Sequence, residues 1–345
     1  MMGVLAGQDL SAILTGDASL CSRPMRRVTA PLSEMGATFR EMGDPGRLPI
    51  QVTGGPLSPI KYESPVGSAQ VKSALLFAGL TGGAPTSISE PNVSRDHTER
   101  MLTMVGAPVI SHEIDGRWQV ELRDPPDAIS PLDFAVPSDF SSAAFFLVLG
   151  LLGGAGPELT VRRVGLNPTR TGMLGVLARM GASPPYLTHS YEVAPDAAAE
   201  PVGDLIVRPT LLKGIELGEA DTPAMLDEIP ILAVAASRAE GSTRITGARE
   251  LRVKESDRIT ALVANFRSLG VEVEELDDGF EIEGSDRPVR GEVDAYDDHR
   301  IAMAFAILGA LPGNDITIRD RDIVDVSFPG FWSALDRLAP RAGSG

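Results

Sequence analysis

Apolar residues along the chain fall into two alternating helical patterns. The first is amphipathic and ends in glycine. It runs over Arg23–Met35 before Gly36, Ser94–Val105 before Gly106, Asn167–Met180 before Gly181, and Ser256–Leu269 before Gly270. The spacing is plainest in the last, where Ile259, Leu262, Val263, Phe266 and Leu269 recur on one face. Each glycine stops its helix, and a strand-like segment such as Val271–Glu275 follows. The second pattern is apolar almost all round. It covers Ser68–Leu80, Ser141–Leu152, Met225–Ala236 and His299–Leu311, and predicts buried helices. The closing glycines recur at roughly 70- to 90-residue intervals, which marks a reused supersecondary unit. Strands combined with one amphipathic and one buried helix predict a mixed fold, α/β or α+β in class.

Polar stretches at Glu121–Pro137 and Pro184–Gly203 read as connections, and the first divides the chain into lobes 1–134 and 135–345. Met1–Gly7 reads as the tail of a helix with no cap before it, which suggests that the start of a longer protein is missing.

The segment Arg249–Arg258 stands where these patterns meet. Leu251 and Val253 alternate with Arg252 and Lys254, which predicts a short half-buried strand. Ser256 or Asp257 then caps the helix that follows. Lys254, Glu255 and Arg258 crowd the corner at helical spacing. A helix N-terminus carries bare N–H donors and about half a positive charge, so two cations and a carboxylate there suit an anion with an acid or base beside it. A solvated first turn laced with charge explains the same residues.

Each buried helix also opens on polar residues, for example Ser68 and Gln70, Ser138 to Ser142, Asp227-Glu228 and Asp297 to Arg300. Capping accounts for any one of them. Their recurrence favours a shared anion site. Arg23 precedes Pro24, a residue suited to the first helical position, so Arg23 is expected at the mouth of a helix. Asp227-Glu228 precedes an apolar helix, where a carboxylate is commonly just a partner of the helix dipole; the other reading draws one of the two into a protected cleft, where desolvation raises its pKa and suits it to general-base work. Asp297-Asp298-His299-Arg300 has ligand-type residues but no second histidine cluster, which argues against a metal.

Composition narrows the picture. The chain has 345 residues, 43% hydrophobic and 23% charged, with formal net charge −16. Such acidity argues against nucleic acid and anionic membranes as partners. No apolar run is long enough to span a bilayer, and one cysteine, Cys21, excludes an internal disulfide. These features point to the cytoplasm. Gly153 to Gly156 follows a helix rather than opening one, so it is not a dinucleotide fingerprint. The residues themselves indicate an enzyme for small, multiply anionic substrates.

Seven segments carry a resemblance to a known family. They are Leu14–Met25 (LTGDASLCSRPM), Gly67–Leu76 (GSAQVKSALL), Ser94–Leu102 (SRDHTERML), Asn167–Gly172 (NPTRTG), Leu226–Val234 (LDEIPILAV), Leu251–Arg258 (LRVKESDR) and Asp298–Met303 (DHRIAM). In this order they closely resemble the 5-enolpyruvylshikimate-3-phosphate synthases, and Ser68-Ala69-Gln70 looks like their glyphosate-tolerant class. The resemblance implies a two-domain enolpyruvyl transferase fold of repeated βαβαββ units, with substrates in the cleft between the domains. It implies attack of the shikimate 3-phosphate 5-hydroxyl on phosphoenolpyruvate, release of phosphate, no metal or organic cofactor, and a monomer.

By motif, Ser68, Ala69 and Gln70 would hold shikimate 3-phosphate, with Ser94 and Arg95 at its phosphate. Arg23 would take the phosphate of phosphoenolpyruvate, and Arg258 and Arg300 its carboxylate. Asp227 resembles the proton acceptor for the hydroxyl, Lys254 would touch both substrates, and Glu255 would relay a proton at C3, with His299 as a second candidate. There are departures. Val326 stands where some members carry lysine, and the family's Lys-Ser…Arg and Asn-Ser/Ala-Gly-Thr motifs are absent. The chain is therefore expected to lack an N-terminal unit and to be a poorly stable, nearly inactive piece of an active synthase. The alternatives are a sister enzyme acting on a UDP-sugar, or a fragment that only binds. The sister enzyme lacks the VKESDR-type corner and uses a loop cysteine, and Cys21 stands in another context.

Overall fold

A computed structural model of the chain describes residues 1–193 and 199–340. Two compact units emerge. The first is Met1–Ala135, joined by Glu200, and the second is Val136 onward apart from that excursion. His97 Nδ1 lies 2.8 Å from Glu200 Oε1 and Arg100 donates to the Ala199 carbonyl at 3.2 Å, which ties the excursion to the first unit. Among the described residues, no helix is long and apolar enough to cross a membrane.

The first unit holds two sheets. Ser11–Leu14, Ile50–Thr53 and Thr38–Glu41 form an antiparallel trio with Ile50–Thr53 in the middle. The other sheet orders Ile60–Glu63, Thr86–Glu90, Arg117–Leu122 and Val109–Ile114, with only the first pair parallel. Helix Ala69–Gly82 supplies the core with Val71, Leu75, Leu76 and Ala78, all buried.

The second unit has a three-stranded antiparallel sheet, a four-stranded sheet and a parallel pair, Arg290–Asp294 with Asp315–Arg319. Of three apolar helices, Phe140–Leu151 and Ile229–Ala236 are buried at nearly every position and His299–Ala310 is buried from Ile301 to Leu308. The expected amphipathic helix is Arg258–Ser268, which packs Phe266 on Phe305 with ring centroids 4.9 Å apart.

All four glycine-terminated helices are present, and each glycine has a positive φ, from 118° at Gly36 to 76° at Gly270. A strand follows each one: Thr38–Glu41, Val109–Ile114, Leu187–Val193 and Val273–Leu276. Helix Met2–Ala6 has no side-chain cap.

Several expectations need correction. Arg249–Val253 is a 3₁₀ turn, not a strand. Leu251 is buried while Val253 is 79% exposed, so one anchor rather than a strand face holds the segment. Arg23 does not open the following helix. It ends the short helix Ala18–Ser22, and the next helix starts at Arg26. The Asn167 stretch becomes helical only from Gly172, because Asn167 Oδ1 accepts from Thr169 N at 2.9 Å and holds a turn first. Glu121 belongs to strand Arg117–Leu122, and Pro184–Gly203 contains strand Leu187–Val193. Residues 194–198 of that stretch lie outside the described residues.

Phe305 anchors the second unit's core. Phe305→Ala is expected to lower the unfolding free energy by about 3–5 kcal/mol, read as a fall in the urea midpoint at unchanged slope.

Candidate functional site

In the second unit the site is built around Asp227. It sits on a 3₁₀ turn, Leu226–Glu228, that runs into the apolar helix Ile229–Ala236. Pro230 starts that helix, and the turn presents its two carboxylates in different directions. Asp227 Oδ2 lies 3.3 Å from Arg170 Nη1. Its Oδ1 lies 3.6 Å from Arg258 Nη1 and 3.9 Å from Lys254 Nζ. Arg300 Nη1 donates to the Asp227 backbone carbonyl at 3.0 Å. Four cations therefore face one aspartate.

Arg258 is 1% exposed. Its Nε donates to Asp298 Oδ2 at 2.7 Å and its Nη2 to Glu255 Oε2 at 2.6 Å. Nη1 has no hydrogen-bond partner among the described residues and faces Asp227. Asp298 itself is fully buried and caps helix His299–Ala310 by accepting from Arg300 N at 2.9 Å. Asp257 caps the neighbouring helix, accepting from Thr260 N at 3.1 Å. Lys254 Nζ also donates to Glu250 Oε1 at 2.7 Å. Burial lowers the pKa of His299, against the pull of the neighbouring Asp298 carboxylate.

Glu228 turns the other way. Its side chain is fully buried, accepts from Ser141 Oγ, and lies 3.4 Å from Arg170 Nη2 and 4.0 Å from Arg300 Nη1. Arg170 also donates to Ser141 Oγ, so Arg170 spans Asp227 and Glu228. Burial pushes the Glu228 carboxyl above its usual range, with Arg170 opposing the shift. Of the adjacent pair, Glu228 is thus the carboxylate drawn into the protected interior. Beside it lies a cavity of about 150 Å³ whose lining includes Ser141, Ser142, His299 and Arg300 together with Phe145 and Phe328.

In the first unit the predicted residues gather at the start of helix Ala69–Gly82. Ser68 Oγ caps it through Val71 N at 3.5 Å, and Ala69 is its first residue. Gln70 Oε1 accepts from Arg27 at 2.5 Å. Ser94 Oγ donates to both oxygens of Glu90, at 2.9 and 2.8 Å, and Arg95 follows on the same loop. Arg23 stands at the end of helix Ala18–Ser22.

The structure therefore brings Asp227, Lys254, Glu255, Arg258, His299 and Arg300 together in one unit, and Ser68, Gln70 and Ser94 near one another in the other. Three residues were missed. Arg170 lies inside the NPTRTG segment but had no role there, Ser141 looked like a plain helix start, and Glu228 was not separated from Asp227. Within the Asp297-Asp298-His299-Arg300 run, Asp298 is committed to a helix cap and to Arg258. Among the described residues, no three His, Cys, Asp or Glu side chains could hold a metal ion.

A family model described as EPSP synthase (3-phosphoshikimate 1-carboxyvinyltransferase) matches residues 1–335. The chain is 44% identical over 351 residues to the 3-phosphoshikimate 1-carboxyvinyltransferase of Geobacter sulfurreducens, covering 99% of this chain and 77% of the relative. It is 49% identical over 342 residues to that of Thermus thermophilus, covering 98% and 76%. The EPSP synthase structure from Acinetobacter baumannii is similar, with TM-score 0.83 at 39% identity over 98% of this chain and 75% of that one. The enolpyruvyl transferase NikO of Streptomyces tendae shares the fold, with TM-score 0.67 at 19% identity over 95% and 72%.

The buried carboxyl yields a prediction with a definite sign. Glu228 faces Arg170, Arg300, Asp227 and Ser141. Its folded pKa is raised, so its contribution to stability is complete below the ordinary carboxyl value and is lost as pH rises through the folded value. Relative to Glu228→Gln, the parent chain is expected to lose melting temperature as pH goes from 4 to 9. A difference that moves in the parent's favour over that range contradicts the assignment.

Proposed function

The chain belongs to the EPSP synthase family, and on that premise we propose how its residues share the reaction. The reaction is transfer of the 1-carboxyvinyl group of phosphoenolpyruvate to the 5-hydroxyl of shikimate 3-phosphate, with release of phosphate, on the shikimate route to chorismate and the aromatic amino acids. The relatives at 44% and 49% identity carry the shikimate name, so the UDP-sugar alternative has no support.

The observation that carries the reading is the ring of cations at 3.3–3.9 Å from the Asp227 carboxylate. A lone aspartate does not require three such partners. A site that must also take a carboxylate and phosphates does. Asp227 accepts the proton of the attacking hydroxyl, and Lys254 keeps the alkoxide side of the reaction cationic. Arg258 and Arg300 take the carboxylate of phosphoenolpyruvate by paired N–H donors; Arg258 Nη1, buried beside Asp227, has no hydrogen-bond partner among the described residues. Glu255, 2.6 Å from Arg258 Nη2, delivers a proton to C3 as the hydroxyl adds and takes one back as phosphate leaves, which restores the vinyl group, and His299 stands by as a second proton carrier. In the first unit, Ser68, Ala69, Gln70, Ser94 and Arg95 hold shikimate 3-phosphate, and Arg23 takes the phosphate of phosphoenolpyruvate. Stabilisation comes mainly from cations held where charge develops. We place the protein in the cytoplasm, acting as a monomer on these two metabolites.

Initial rates of phosphate release from the two substrates test this. Asp227→Asn preserves the shape but removes the base, and is expected to lower kcat about 10²- to 10⁴-fold relative to the parent chain. Unchanged kcat in that variant removes Asp227 from the chemistry.

A further inference from the structure

The first unit buries a lysine completely. Lys72 is 0% exposed, and its Nζ lies 3.2 Å from Glu90 Oε2 and 2.7 Å from Glu99 Oε1. Glu90 is likewise 0% exposed. A buried ion pair gives little net stability over an apolar pair of the same size, so its presence needs another reason. What Glu90 touches supplies one. Its Oε1 accepts from the backbone N–H of Ser68 at 2.8 Å, and Ser94 Oγ donates to both oxygens. Lys72 Nζ also donates to the Ser94 carbonyl at 3.3 Å. One carboxylate thus ties together the two serines that precede helices Ala69–Gly82 and His97–Met104.

We propose that Glu90, seated on Lys72, is the positioning residue for the residues of the first unit that hold shikimate 3-phosphate, fixing Ser68 and Ser94 before the ligand arrives. This rests on the reading that those serines hold that ligand. Both Glu90 oxygens are claimed by donors, so the carboxylate sets which proton each serine can offer. The Ser68 N–H and the Ser94 hydroxyl proton both point to Glu90. The Ser68 hydroxyl accepts from Val71 N and keeps its own proton for an incoming anion. Ser68 is the donor of the pair, and Ser94 presents lone pairs and its loop's backbone. Lys72 sits between Glu90 and Glu99, and burial pushes the Glu99 carboxyl up.

Removing one partner of a buried pair threatens folding, so the test removes Lys72 and Glu90 together and leaves Glu99, a carboxyl that burial already pushes up. Lys72→Met/Glu90→Gln retains one acceptor for Ser68 N–H and Ser94, with the amide end beside Met. Lys72→Met/Glu90→Leu retains none. In the full chain, calorimetric titration with shikimate 3-phosphate is expected to show the Met/Gln variant binding within about three-fold of the parent, and the Met/Leu variant about ten-fold weaker. Melting temperatures monitor the fold. If both double variants bind like the parent, or both lose affinity equally, Glu90 does not position the serines. Ser68→Ala is the control for the underlying reading. If it weakens binding while the Met/Leu variant does not, only the positioning role falls. If it binds like the parent, the assignment of Ser68 falls and the proposal with it.

Discussion

A guanidinium can be stripped of water only where other acceptors replace the water, and carboxylates do so most strongly. Arg258 is the strictest case in the second unit. It is buried with Asp298 on one edge, Glu255 on another and Asp227 facing its third nitrogen. Asp298 also caps the helix that begins at His299, and Arg258 is the first residue of its own helix. One ion pair therefore clasps two helix N-termini and sets where Arg300 and Glu255 emerge. Deleting either partner leaves a buried charge unpaired, typically a loss of about 3–5 kcal/mol. The chemistry around Asp227 depends on this clasp before any substrate is involved.

The first unit solves the same problem with other residues. Lys72 replaces the arginine, and Glu90 and Glu99 replace the aspartates. Here too the buried carboxylate reaches groups at a helix start. The recurrence seen as glycine-closed helices in the chain thus extends to its electrostatics. In each unit a cation is sunk below helix N-termini and held by acids, although the dipole there disfavours cations. Such an arrangement is costly unless acids surround the cation, as they do in both units.

How much of this was legible depended on range. Helices and their glycine ends rest on spacing within a dozen residues, and Leu262, Phe266 and Gly270 announce themselves. Arg249–Val253 misled because two apolar residues in alternation look like a strand, yet only Leu251 has a core to enter. Arg23 misled because proline marks a helix start only to within a residue or two. The network of Ser141, Arg170 and Glu228 was out of reach for a different reason. Its members lie 29 and 87 residues apart, and nothing local distinguishes a serine that caps from one that receives an arginine. The adjacent carboxylates show the limit most sharply. Asp227 and Glu228 are chemically alike, and only the turn of one 3₁₀ segment sends one into the interior and leaves the other among cations.

The four polar helix starts can now be told apart. Ser68, Asp139 and Asp298 cap their helices with their own side chains, as a plain structural reading requires. The fourth start, before Ile229–Ala236, has no side-chain cap, because Glu228 is committed to Ser141 and Arg170. Capping alone therefore does not account for the group as a whole. Nor does overall charge, since a chain with net charge −16 repels anions at long range. At physiological salt that repulsion fades over about 8 Å, whereas the cations around Asp227 act at contact distance and in partial burial, where screening is weak. The field that an anion meets inside the site is thus set by Arg170, Lys254, Arg258 and Arg300, and the acidic exterior discourages only binding elsewhere.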